Sequence, residues 1–299
     1  MSERGYFLKP GATLGLFFPS SHMPLQEIDR LVGALTDWEF NIKIPVPWPR
    51  PKGYLASSDA ERLASLRDLM TDPKVDALLA IRGGYGSLRL LPALAPLWKL
   101  YPQKPIIGFS DITALHMARW AATKVGGWHG PNLKDLDQPG ARQRLAKALC
   151  GQLEPWKINK PARLKYGLAQ GPLIGGNMSL VSSLIGSPYF PELSGAILLL
   201  EDNNEELYRL DRLLTSLKHR GVFQKVGGVI FGDLGQGIAP LLLKPLLKEV
   251  AEVAKGPVAW VPFFGHILQN QPWPVGALAT LALTKISGEL TFNQPQSLA

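Results

Sequence analysis

The chain has 299 residues, 46% of them hydrophobic and 19% charged, and carries a net charge of +8. Disordered chains are charge-rich and poor in large apolar residues, so this balance excludes one. The 30 glycines and 26 prolines follow no fixed period, which excludes a fibrous chain. The positive residues form neither a block nor a stripe, so nothing marks a nucleic-acid binder, and the length suggests roughly two domains.

Residues 12–18 read as a buried strand ended by Pro19-Ser20-Ser21, and a helix follows from about Pro24 with Leu25, Ile28, Leu31, Val32 and Leu35 on one face. Ser58-Asp59-Ala60-Glu61 forms a capping box opening a helix through Met70. Val75 to Ile81 is an apolar strand leading into the turn Arg82-Gly83-Gly84-Tyr85-Gly86. A strand from Pro105 to Gly108 then runs into a helix starting near Asp111. Strands alternating with helices predict βαβ units, a parallel sheet and an α/β fold.

The stretch 151–171 is less periodic, with Pro155, Pro161 and several lysines, and reads as a linker. It separates an expected N-terminal domain, 1–150, from a C-terminal domain, 172–299. Within the latter, helices are expected near 177–185, 208–217 and 240–254. Strands are expected at 196–200, 226–231 and 258–262, with short β-like runs at 277–283 and 289–292. The single cysteine, Cys150, excludes an intramolecular disulfide and a cysteine metal cluster. The apolar run Leu14–Phe18 is too short for a signal peptide, and no stretch approaches the ~20 apolar residues of a membrane span. A cytoplasmic protein with no membrane partner is expected.

Ligands of open α/β sheets bind beyond the carboxyl ends of strands, and four segments place polar or glycine-rich residues there. Arg82-Gly83-Gly84-Tyr85-Gly86 can expose backbone N–H groups to an anion, or can be a plain tight turn; it fits neither phosphate-loop nor dinucleotide patterns. In Gly108-Phe109-Ser110-Asp111-Ile112-Thr113, Ser110 sits at a strand-to-helix corner, as a nucleophile or as a helix N-cap. Glu201-Asp202 follows a strand, as an orienting carboxylate or as a solvated terminus. His266 follows Gly265 at another strand end. His116 reads as packed, His129 sits in a loop that can line a pocket, and His219 ends a helix. Ser110, Glu201 and His266 thus come in the order serine, acid, histidine, the components acyl transfer needs. No histidine pair at helical spacing suggests zinc.

These segments resemble the LD-carboxypeptidases, a serine peptidase family (S66) that includes the microcin C immunity peptidases. The resemblance is carried by Gly11–Leu16 with Pro19-Ser20-Ser21, the Arg82–Gly86 turn, Gly108–Thr113 and Gly175-Gly176-Asn177 with Ser179-Leu180. Glu201-Asp202 with Glu205, Tyr208, Asp211 and Arg212, and Gly265-His266 with Asn270, Pro274 and Gly276, complete it. It implies an N-terminal parallel-sheet domain of Rossmann or flavodoxin-like type, a smaller C-terminal α/β domain, and an active site at their interface. It also implies Ser110 as nucleophile, His266 as general base and Glu201 as its orienting acid. The backbone N–H groups of Asp111 and of Gly83 or Gly84 would form an oxyanion hole. Arg82, Asn177 and Trp273 are the substrate-binding candidates; Trp273 stands where the family usually has a smaller aliphatic residue. The implied reaction releases terminal D-alanine from murein tetrapeptide in cytoplasmic peptidoglycan recycling, by a homodimer using no cofactor or metal. Two alternatives stand beside it: an immunity-type peptidase acting on a peptide–nucleotide conjugate, and a non-catalytic binding protein using the same cleft.

Overall fold

The computed structural model describes residues 7–45, 50–235 and 237–293, so the outermost ends of both expected domains lie outside the described residues. The chain divides into two units. The first runs up to Gln152 and takes in Ser187–Pro191 and Leu268–Pro274; the second holds the remainder from Leu153 onward.

In the first unit, strands β1 (Thr13–Phe17), β2 (Asn41–Lys43), β3 (Ala77–Ala80), β4 (Ile106–Ile107) and β5 (Gly127–His129) pair in parallel in the order β5-β4-β3-β1-β2. Helices α1 (Leu25–Gly33), α2 (Asp59–Thr71), α3 (Leu91–Leu100), α4 (Thr113–Thr123) and α5 (Ala141–Leu149) alternate with or follow them. The sheet is packed on both faces, so its strands are near-continuous apolar runs. All four residues of β3 are buried. The capping box of α2 is present: the Ser58 hydroxyl accepts from the Glu61 N–H while the Glu61 carboxylate accepts from the Ser58 N–H. The strand order reverses between β1 and β3. In a doubly wound sheet that reversal opens a crevice beyond the carboxyl ends of those two strands.

The second unit carries β6 (Trp156–Lys157), β7 (Arg163–Lys165), β8 (Gly167–Asn177), α6 (Met178–Leu184), β9 (Ile197–Glu201), α7 (Leu207–His219), α8 (Val222–Lys225), β10 (Gly228–Phe231), α9 (Pro240–Val253) and β11 (Val258–Trp260). After these, β12 (Trp273–Val275) hydrogen-bonds beside β5 as the sixth strand of the first sheet. β13 (Leu278–Leu283) and β14 (Gly288–Phe292) return to the second, whose order is β6-β14-β13-β8-β9-β10-β11-β7. The core strands β8, β9, β10 and β11 are parallel.

Residues 151–171, expected as a linker, instead contain β6, β7 and the start of β8. The expected helix near Asp111 begins as a 3-10 turn, Ser110–Ile112, and becomes α-helical only at Thr113. Among the described residues no helix is long and apolar enough to cross a membrane.

Candidate active site

In the first unit the loops after β1, β3 and β4 carry the polar residues singled out by sequence. Ser110 has φ of 63°. A non-glycine residue in the left-handed region pays on the order of 1–2 kcal/mol, which the surrounding structure must impose. Its hydroxyl caps no helix: the N-cap of the 3-10 turn is Phe109 and that of α4 is Ile112, and neither is capped by a side chain. The helix-cap reading therefore fails. Behind the corner, the His116 Nε2–H donates to the Gly108 carbonyl over 3.0 Å. Full burial pushes the His116 imidazole down to about 4, so it is neutral in this bond.

The glycine turn packs directly against Ser110. A Cβ on Gly83 would lie 3.0 Å from Ser110 Cβ, 3.1 Å from its Oγ and 3.6 Å from the Asp111 nitrogen. Gly84 faces elsewhere, its Cβ position falling 2.2 Å from Ser21 Oγ. Of the two candidate glycines, Gly83 is the one beside the serine and the Asp111 N–H. The Asp111 side chain is wholly buried and accepts from the Ser20 hydroxyl (2.5 Å) and the Ser87 N–H (2.8 Å). Burial pushes its carboxyl up.

In the second unit Glu201 is the last residue of β9, at 0% exposure. Its Oε2 accepts from His266 Nδ1 over 2.7 Å. Gly265, at φ of 115°, brings the histidine close: a Cβ there would lie 3.0 Å from Glu201 Cβ and 3.2 Å from Asp233 Cβ. An L-residue would be both strained and crowded at this position. Asp233 is buried beyond the end of β10, and that burial raises its carboxyl pKa. A carboxylate on Nδ1 fixes the tautomer and leaves Nε2 as the basic nitrogen.

Three comparisons bear on what this arrangement belongs to. The chain is 31% identical to the "Probable murein peptide carboxypeptidase" of Bacillus subtilis, over 92% of this chain and 90% of that one. It is 31% identical to the murein tetrapeptide carboxypeptidase of Pseudomonas aeruginosa, over 76% and 79%. Family models match at both ends, the LD-carboxypeptidase N-terminal domain over residues 14–130 and the LD-carboxypeptidase C-terminal domain over 170–281. The chain belongs to the LD-carboxypeptidase family. Its fold agrees with that of an MccF-like protein from Bacillus anthracis, at a TM-score of 0.86 and 25% identity over 96% of this chain and 98% of the other.

As an LD-carboxypeptidase, the chain is a peptidase with a two-domain α/β fold. The three proposed substrate-binding side chains have structural partners in it. The Asn177 amide donates to Asp202 Oδ1 (2.9 Å) and its oxygen accepts from the Leu180 N–H (3.2 Å), capping α6. Trp273 is fully buried and stacks on His129 with ring centroids 4.9 Å apart. That places His129 in an aromatic stack, where the sequence suggested a pocket wall. Arg82 Nη1 donates to the His22 carbonyl (2.9 Å). Sequence reasoning missed the Ser20–Asp111–Ser87 cluster and Asp233. The only signal for the former was that Ser20 falls just beyond the end of β1 and Ser87 directly follows the glycine turn after β3.

Proposed function

We propose that this LD-carboxypeptidase is a serine peptidase that releases terminal D-alanine from murein tetrapeptide, cleaving the bond after the L-centre of meso-diaminopimelate. The observation that carries the reading is the 2.7 Å contact from His266 Nδ1 to a carboxylate with no exposure. Such a pair is built to hold an imidazole as a general base. Ser110, held in a strained corner against Gly83, is the matching nucleophile.

Ser110 Oγ attacks the scissile carbonyl carbon and its proton passes to His266 Nε2. The Asp111 and Gly83 N–H groups hold the oxyanion. The C–N bond then breaks as His266 protonates the departing D-alanine amine. Water attacks the acyl-enzyme by the same route in reverse, which regenerates Ser110 and frees the tripeptide. The enzyme acts in the cytoplasm as a homodimer and has no nucleic-acid or membrane partner. Sedimentation and cell fractionation check those points.

The reading is supported over an immunity-type amidase by the names of two relatives at 31% identity, a probable murein peptide carboxypeptidase and a murein tetrapeptide carboxypeptidase. The test measures D-alanine release from murein tetrapeptide beside cleavage of a peptide–nucleotide conjugate. Release with the tetrapeptide, abolished in Ser110→Ala and His266→Ala, is expected. Full activity in Ser110→Ala would sink the mechanism, and binding of both substrates without turnover would favour a non-catalytic protein.

A further inference from the structure

The proposed mechanism uses the backbone N–H of Asp111 and leaves its side chain without a task. That side chain lies in a closed polar cluster: Ser20, Ser87 and Asp111 are each 0% exposed, and Arg62 is 1% exposed. One oxygen, Asp111 Oδ2, receives both the Ser20 hydroxyl (2.5 Å) and the Ser87 N–H (2.8 Å), and the two serine hydroxyls lie 3.3 Å apart. Arg62 Nη1 donates to the Pro19 and Gly86 carbonyls, and its Nη2 pairs with Asp59 over 2.6 Å. Asp111 Oδ1 has no hydrogen-bond partner among the described residues.

Ser20, Ser87 and the Asp111 carboxylate that ties them come from the segments after β1, β3 and β4, and β1 and β3 flank the point where strand order reverses. Ser87 ends the turn that carries Gly83, and Asp111 directly follows Ser110. A single buried acceptor therefore sets the spacing between the two backbone donors and the serine hydroxyl. We infer that the Asp111 carboxylate is a positioning residue, an acceptor that pins the Ser20 and Ser87 loops and thereby holds the Gly83 and Asp111 N–H groups in register with Ser110 Oγ. The inference rests on the oxyanion-hole reading above. It assigns the side chain the role of an acceptor and gives its charge none. Because Oδ1 is unpartnered, an asparagine can turn its carbonyl oxygen to the Oδ2 position.

The test compares Asp111→Ala, Asp111→Asn and Ser20→Ala in the full chain, measuring kcat, KM and affinity for a peptide boronate that forms a tetrahedral adduct on serine. Misplacing a catalytic group by about 1 Å costs on the order of 100-fold, the loss of kcat expected for Asp111→Ala. Ser20→Ala, which removes one tie, should lose roughly tenfold, and Asp111→Asn should stay within about fivefold of the parent, with KM nearly constant in all three. Boronate affinity should fall in step with kcat/KM, whereas affinity for the tripeptide product should hold. A merely structural role would lower thermal stability and leave the ratio of boronate to product affinity unchanged. That result, or an Asp111→Asn as defective as the alanine variant, overturns the inference. If Asp111→Ala does not fold, Ser20→Ala decides: parental kcat and boronate affinity there also overturn it. Ser110→Ala in parallel separates the outcomes, because activity without that hydroxyl overturns the mechanism itself.

Discussion

Glu201 Oε2 accepts a 2.7 Å hydrogen bond from His266 Nδ1, and the carboxylate is wholly buried while the imidazole is partly open. The acid is thus a fixed post and the histidine the working group. Replacing it with an amide of the same shape removes the preference for a proton on Nδ1. Glu201→Gln should lower kcat on the order of 1,000-fold or more with little change in KM. Steady-state kinetics on a variant with a parental circular dichroism spectrum checks this, and near-parental kcat would remove Glu201 from the mechanism.

Gly83→Ala tests the other half. The added methyl would lie 3.0 Å from Ser110 Cβ and 3.1 Å from its Oγ, so either the serine or the turn must shift. An activity loss of at least about tenfold is expected from such a displacement. The melting temperature should move little, since Gly83 does not lie at positive φ. Activity equal to the parent's would mean that the turn can retreat without consequence.

His116 makes stability depend on pH. Its folded pKa, about 4, lies below the ordinary 6.5, so the unfolded chain binds the proton more tightly. Stability is therefore whole above about pH 6.5 and falls as pH drops toward 4, by about 3 kcal/mol in all for a shift of this size. Denaturant midpoints of the parent should fall over that window. His116→Gln should be less stable at pH 7.5 and show a shallower fall. Parallel pH curves for the two proteins would disprove the assignment.

Asn177 offers a contrast with substrate binding. Both ends of its amide are engaged, with Asp202 and with the Leu180 N–H. Asn177→Ala removes the side-chain cap of α6 and one of the hydrogen bonds to the buried Asp202, and should cost about 1–2 kcal/mol in unfolding free energy. KM for tetrapeptide should change by less than about twofold, as expected for a residue outside the binding contacts. A large rise in KM with unchanged stability would restore the substrate role.

Much of the architecture was legible because its strands are apolar runs ending in conspicuous residues. Ala196–Leu200 predicted β9 and placed Glu201 at its tip, where the structure has it. β8 was not legible. Gly167, Gly171, Pro172, Gly175 and Gly176 erase its periodicity, although it is a central strand of its sheet. A Cβ on Gly175 would fall 2.0 Å from the Leu199 carbonyl oxygen, so the close approach of β8 to β9 demands a residue that propensity counts against a strand. At the candidate site, Ser110, Gly83, Glu201 and His266 could be named from their places at strand ends. The ties between Asp111, Ser20 and Ser87 span 91 and 24 positions, and no local pattern encodes them.

The path of the chain has an engineering consequence. It leaves the first unit at Gln152, returns for Ser187–Pro191, and returns again for Leu268–Pro274, which begins β12 beside β5 and brings Trp273 onto His129. A gene cut after codon 152 would encode a first half lacking its edge strand and the buried indole of Trp273. Chimeras between relatives must therefore exchange three separate stretches together. Whatever diversifies this enzyme, in the laboratory or in a genome, has to move those three stretches as a set.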